Sequence, residues 1–135
     1  MERVCGIGGF FFRAQDPEAL ATWYDRHLGV RLTPKDYGSP SWAQEEGPTV
    51  FEPFPADTSH FRNPSKAWML NFRVRNLEAM VAQLRSAGVA VEIDPQEYPN
   101  GRFARLADPE GNPVELWQPE GPAAPKAVGA DAGSP

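Results

Sequence analysis

A chain of 135 residues suits a single domain, long enough to bury a core without disulfide or metal staples. With 41% hydrophobic residues, 23% charged residues and a formal net charge of −5, it lacks the basic surplus that recruits nucleic acid or an anionic membrane. Cys5 is the sole cysteine, which excludes an internal disulfide and a CxxC motif and favours a reducing, cytoplasmic compartment.

In chain order, the opening MERVCGIGGFFF is too short an apolar run to span a membrane and shows no small-residue cleavage pattern, so no signal peptide is expected. Phe10–Phe12 reads as a strand. Asp16 is a good N-cap and Pro17 suits the first helical position. The spacing predicts a helix at about residues 17–28, with Leu20, Trp23, Tyr24, His27 and Leu28 on one face and Gly29 as its stop. Three short strand candidates follow, near Val30–Thr33, Ser41–Glu45 and Thr49–Phe54. Pro53 to Lys66 is a proline-broken connector.

The pattern then repeats. Trp68–Val74 reads as a strand and Asn76 as an N-cap. A helix is predicted at about residues 77–87, with Leu77, Met80, Val81 and Leu84 facing one way and Gly88 ending it. Strand candidates follow at Val89–Ile93, Arg102–Ala107 and Pro113–Gln118. Residues 119–135 are rich in Ala, Gly and Pro, without apolar period, and read as a disordered tail. RAQDPEALATWYDRHLGV from Arg13 matches RVRNLEAMVAQLRSAGV from Arg73, an offset of about 60 residues. The expected fold is α+β: two βαβββ modules related by a pseudo-twofold axis, with curved mixed or antiparallel sheets around a cavity. Module 1 is placed at about 4–54, a linker at 55–66 and module 2 at about 67–118.

Alternation along the strands assigns faces. Trp68, Leu70, Phe72 and Val74 should pack on helices, leaving Met69, Asn71 and Arg73 toward the cavity. By the repeat, Phe10 and Phe12 should meet a helix while Gly9, Phe11 and Arg13 face inward. The turn DPEGN (Asp108 to Asn112) centres a hairpin on Glu110. Arg105 then opposes Glu115 and Phe103 opposes Trp117, all four facing the cavity, while Leu106, Val114 and Leu116 face the helices. Phe11, Trp42, Met69, Asn71, Phe103, Arg105 and Trp117 are the expected ligand-binding residues, with core filling by the aromatics an equal alternative. Glu115 is the candidate catalytic group, and an ion pair with Arg105 is its plainer role. His27 reads as a packing residue, His60 as a solvated connector residue unless the connector folds over the cavity mouth, and Cys5 as inert.

The segment FFFRAQDPEALATWYDRHLGV resembles the opening strand and helix of glyoxalase/bleomycin-resistance/dioxygenase proteins, the vicinal oxygen chelate superfamily. NGRFARLADPEGNPVELWQP resembles their closing hairpin, whose hallmark is DP-[DE]-GN-x-[VI]-EL. The resemblance covers about residues 4 to 118. It implies paired βαβββ modules around a shared cavity, a homodimer, and in many members a divalent metal. Of the ligand positions it implies, the last falls on Glu115, the first-strand position on Gly9, its counterpart on Met69, and the remaining one near Phe51 or Glu52. Glycine has no donor and a thioether is soft, so no metal is expected at the usual position; an ion bound there would draw on Glu115 and Glu52.

The expected function is a cavity that binds a small, largely apolar or aromatic molecule, with no cofactor and with neither nucleic acid nor membrane as partner. Two alternatives stay open: a divergent metal-dependent lyase, isomerase or dioxygenase using Glu115, and a ligand-free structural or interaction domain. A homodimer is expected because a two-module curved sheet leaves edges to cover.

Overall fold

The computed structural model describes residues 1–124. Both helices form where the sequence supplies their caps. The Asp16 carboxylate accepts from the Ala19 backbone N–H at 3.1 Å, and α1 runs Pro17–Leu28. It stops at Gly29, whose φ of 73° is a left-handed conformation that glycine adopts without a Cβ penalty. The Asn76 side chain accepts from Ala79 N at 2.9 Å and starts α2, Leu77–Ser86.

The second half is a complete βαβββ unit: β1 (Leu70–Arg73), α2, β2 (Glu92–Ile93), β3 (Gly101–Ala107) and β4 (Pro113–Pro119). Its strands lie in the order β1-β4-β3-β2. β1 runs parallel to β4 and the other pairs are antiparallel, which makes a mixed sheet. The hairpin register is the one expected, with Phe103 opposite Trp117, Arg105 opposite Glu115 and Leu106 opposite Val114. The turn holds this register because Asp108 Oδ1 accepts from the Glu110 and Asn112 backbone N–H groups at 2.8 and 3.0 Å.

One face of the sheet carries the core. Ala104, Leu106, Val114 and Leu116 meet Leu77, Val81 and Leu84 of α2 and Leu20 and Tyr24 of α1. Each large aliphatic side chain buried this way contributes roughly 1.5–3 kcal/mol. The helix of the first half thus shares the core of the second. The hairpin turn fastens it there. Tyr24 donates its hydroxyl to Asp108 at 2.7 Å, and the Glu110 carboxylate accepts from Gln15 N and Asp16 N at 2.7 and 3.0 Å. Burial, reinforced by the Asp108 carboxylate, pushes the Tyr24 phenol well above its ordinary range.

The strands expected at Phe10–Phe12, Val30–Thr33, Ser41–Glu45 and Thr49–Phe54 do not form: none of these segments carries a ladder. The physical reason lies in the sequence. Pro53 lies inside the last of these segments, and Pro34, Pro40 and Pro48 stand between the others and keep them short, each lacking the backbone donor a ladder needs. Phe10 and Phe12 pack edge-on against Trp68, with centroids 5.0 and 5.2 Å away, rather than against a helix. At the other end, β4 continues through Pro119 and a 3-10 turn spans Gly121–Ala123. The rest of the expected disordered tail, 125–135, lies outside the described residues. Among the described residues, no helix is long and apolar enough to cross a membrane.

Candidate functional site

The sheet face opposite the core opens onto a cavity of about 1720 Å³. This exceeds the roughly 300–1,000 Å³ of an ordinary small-molecule site and leaves the cavity open to solvent on one side. β3 and β4 supply its floor, since alternation that buries Leu106, Val114 and Leu116 must turn Phe103, Arg105, Glu115 and Trp117 the other way. The segment around residues 42–54 and the connector around His60 and Phe61 form the far wall.

The aromatic part of the floor is ordered. Phe103 and Trp117 lie parallel, 1° apart in plane with centroids 6.2 Å apart, and Tyr98 meets Phe103 edge-on at 5.7 Å. Trp117 Nε1 donates to the Asn100 carbonyl at 2.8 Å, which satisfies its one polar atom. Gly101 makes this possible: its φ is 137°, and a Cβ there would stand 2.2 Å from the Gln118 carbonyl oxygen and 2.7 Å from Trp117 Nε1. Tyr98 donates its hydroxyl to Asp94 at 2.8 Å. The Gln96 backbone N–H and then this hydroxyl hold the Asp94 carboxyl below its ordinary value, and the same bond pushes the Tyr98 phenol up.

The polar part centres on Glu115, which is only 6% exposed. Asn71 donates to its Oε1 at 2.8 Å, while Arg105 Nε and His60 Nε2 lie 3.6 and 3.5 Å from its Oε2. Arg105 also donates to the His60 carbonyl at 3.1 Å, and its Nη2 lies 3.0 Å from His60 Nδ1. The same Nη2 lies 3.5 Å from His60 Nε2, so the guanidinium faces the imidazole ring as a whole and not one of its nitrogens alone. The imidazole stacks on Phe54 at 5.3 Å and 16°.

Of the residues singled out from sequence, Trp42, Met69, Asn71, Phe103, Arg105, Glu115, Trp117 and Glu52 all line this cavity. Phe11 does not. It is 93% exposed and its ring folds back beside Gly9, because the strand that was to aim it inward is absent. His60 is corrected the other way: read as a solvated connector residue, it sits half-buried against Arg105 and Glu115. Asp94, Tyr98 and Phe54 were missed. A signal existed for the connector, where Phe54, His60 and Phe61 are out of place in a segment meant only for solvent.

The donor set does not fit a divalent ion. Gly9 offers no side chain, Met69 offers a thioether, and among the described residues no three His, Cys, Asp or Glu side chains converge. The two donors that do approach each other, Glu115 and His60, both face the Arg105 guanidinium, a fixed cation where a metal would have to sit.

A family model described as a glyoxalase-like domain matches residues 9–117. No match was found among curated proteins. Among solved structures, the fold is similar to that of TnmS3, an antibiotic binding protein from Streptomyces sp. CB03234. The identity is 23%, covering 89% of this chain and 100% of that one, with a TM-score of 0.60. It is also similar to a glyoxalase/dioxygenase from Nostoc punctiforme at 16% identity, covering 89% and 99%, with a TM-score of 0.52. The α+β architecture, a curved mixed sheet with two helices, is therefore the glyoxalase/bleomycin-resistance fold.

Proposed function

Because the chain belongs to the glyoxalase-like domain family, we propose that its cavity holds a small, largely apolar or aromatic molecule by one polar group, without the metal many relatives use. One observation carries this reading: the parallel Phe103 and Trp117 rings share a cavity floor with the buried Glu115 carboxylate and its partners Asn71 and Arg105. Flat apolar walls beside a few fixed polar groups are what a small-molecule site needs. The carboxylate of Glu115 already accepts from Asn71 and lies beside Arg105, which suits it to anchoring a ligand more than to taking a proton from one.

A planar aromatic probe such as 1-naphthol, titrated while tryptophan fluorescence is followed, should bind saturably. Arg105→Ala and Phe103→Ala should each weaken it about tenfold, since each removes about 1.4 kcal/mol of contact. Absence of saturable binding, or binding that ignores both substitutions, overturns the reading.

We further propose a homodimer. β1 and β2 are the edges of the sheet, with one side of each unpaired among the described residues. The first half also exposes Phe11, Val50 and Phe51, apolar side chains available for a partner copy to cover.

A further inference from the structure

On the reading that the cavity binds a small molecule, we propose that Arg73 is the latch of that cavity. It holds the segment 42–54 as a wall over the aromatic floor, and a ligand is retained while the latch is closed. The wall has few other ties. It carries no ladder, and among the described residues every hydrogen bond that joins residues 31–53 to the rest of the chain comes from the Arg73 side chain. Its Nη1 donates to the Pro48 carbonyl at 2.5 Å and its Nη2 to the Glu45 carbonyl at 2.8 Å. Gly47 lies between these two acceptors in sequence and leaves room for the guanidinium. A Cβ there would stand 2.8 Å from Arg73 Nε and 3.0 Å from Cζ. Residues 45–48 are thus a cradle shaped to one side chain.

The placement of Arg73 gives the latch its effect on the site. Arg73 is the last residue of β1 and lies beside Trp117 in the parallel register, at the aromatic end of the floor. Alternation puts it on the cavity side of the strand with Asn71. The segment is anchored separately at its two ends, where Val30 N donates to the Tyr24 carbonyl at 3.2 Å and Phe54 stacks on His60. Between those ends Arg73 is the tie, so its release lets the wall swing from the floor while both ends stay in place. Arg75 offers a competing attachment through its ion pair with Glu45 at 2.7 Å. Those two side chains are 85% and 72% exposed, and an ion pair so exposed contributes little and is screened by salt. Arg73 is half-buried, and each of its charged N–H groups meets a carbonyl, the stronger kind of hydrogen bond.

Limited digestion of the full chain with a glutamate-specific protease tests the latch, because Glu46 lies in the cradle and Glu115 in β4 serves as the internal reference. Stopped-flow tryptophan fluorescence with 1-naphthol tests what the latch does for binding. Arg73→Ala should speed cleavage at Glu46 about tenfold relative to Glu115, since a protease needs the chain locally free. It should also raise the 1-naphthol dissociation rate about tenfold without slowing association. Gly47→Ala keeps the arginine and should act in the same direction, by about threefold in each rate. Its new Cβ meets the end of a flexible side chain, so the guanidinium is pushed off its carbonyls and the backbone stays. This variant carries the test should Arg73→Ala fail to fold. Arg75→Ala should leave both rates within about twofold. Unchanged cleavage at Glu46 in Arg73→Ala, or equal release by Arg75→Ala, overturns the latch. Faster cleavage with an unchanged dissociation rate overturns its role in retention. If 1-naphthol binds none of the proteins, the small-molecule reading and the retention fall together. If it binds and either rate fails to respond, the latch falls alone.

Discussion

The two halves of this chain begin with the same signature, Arg13 to Val30 against Arg73 to Val89, and end differently. Each makes a capped helix. Only the second makes a sheet. A helix closes its hydrogen bonds within a few residues and needs only local caps and one apolar face, which both copies possess. A strand needs a partner. In the second half β3 finds β4 across the five-residue turn Asp108–Asn112, and its prolines stand at strand ends or in turns. In the first half Pro53 breaks the run Thr49–Phe54, and Pro34, Pro40 and Pro48 stand between the other candidates and keep those runs short. The first half is instead ordered through the second: Tyr24 on Asp108, Gln15 and Asp16 on Glu110, and Phe10 and Phe12 on Trp68.

That asymmetry orders the expected cost of substitutions. The largest falls on the shared core. Leu116 is fully buried between the sheet and both helices, so Leu116→Ala should lose about 3–4 kcal/mol of unfolding free energy by urea titration. A loss under about 1 kcal/mol would mean that the second half is not the stable one. The joint between the halves comes next. Asp108 accepts from Tyr24, from Asn112 Nδ2 at 2.7 Å and from two backbone N–H groups, and Asp108→Ala leaves these donors without a partner in a buried place. It should cost about 2–3 kcal/mol. If it costs nothing measurable, the hairpin turn does not fasten α1.

How much of this was legible follows from the same contrast. Asp16, Asn76, Gly29 and the hairpin register were readable because caps, stops and tight turns are local chemistry; the DPEGN turn alone fixed Arg105 against Glu115. The sequence also pointed to most of the cavity floor, because alternation on a strand that does form is rigid. Phe11 failed because its assignment borrowed the strand of the second copy for the first, and a repeat transfers helix signals more safely than pairing. His60 was misjudged because a connector has no periodicity from which to read a direction. The roles of Tyr24 and Glu110 between the halves needed three dimensions, since their partners lie 84 and about 95 residues away in sequence.

A smaller effect separates the joint from the rest by pH. The Tyr24 phenol is raised above its ordinary value in the folded chain, first by burial and then by Asp108. In the unfolded chain it ionises near about pH 10. Its contribution is therefore fully present below that pH and is lost as pH rises beyond it, with a slope of up to about 1.4 kcal/mol per pH unit for this one proton. Tyr24→Phe should be about 1 kcal/mol less stable at neutral pH, since the hydroxyl bond is gone, but should lose less on going from pH 9 to about pH 11. Tyr98 shifts in the same sense, so the difference between the unaltered chain and the variant is the quantity to measure. Parallel pH profiles would show that Tyr24 is not held protonated by the joint.

The smallest expected effect tests the exposed half directly. Phe51 is 86% exposed and lies in a segment without a ladder, so nothing within its own chain depends on its ring. Phe51→Ser should change the unfolding free energy of the isolated subunit by no more than about 0.5 kcal/mol, as surface substitutions generally do. The proposed homodimer gives the ring a second, separable role. If a partner copy covers this surface, the serine should raise the dimer dissociation constant, and light scattering over a dilution series reads that shift independently of folding. The two measurements divide the outcomes. Weakened association with unchanged subunit stability supports a first half completed by a second copy. Unchanged association removes Phe51 from the interface while leaving the asymmetry between the halves intact. A concentration-independent loss of more than about 1 kcal/mol would instead place the ring in its own chain's core, and the contrast between an ordered second half and a dependent first half would fail at its base.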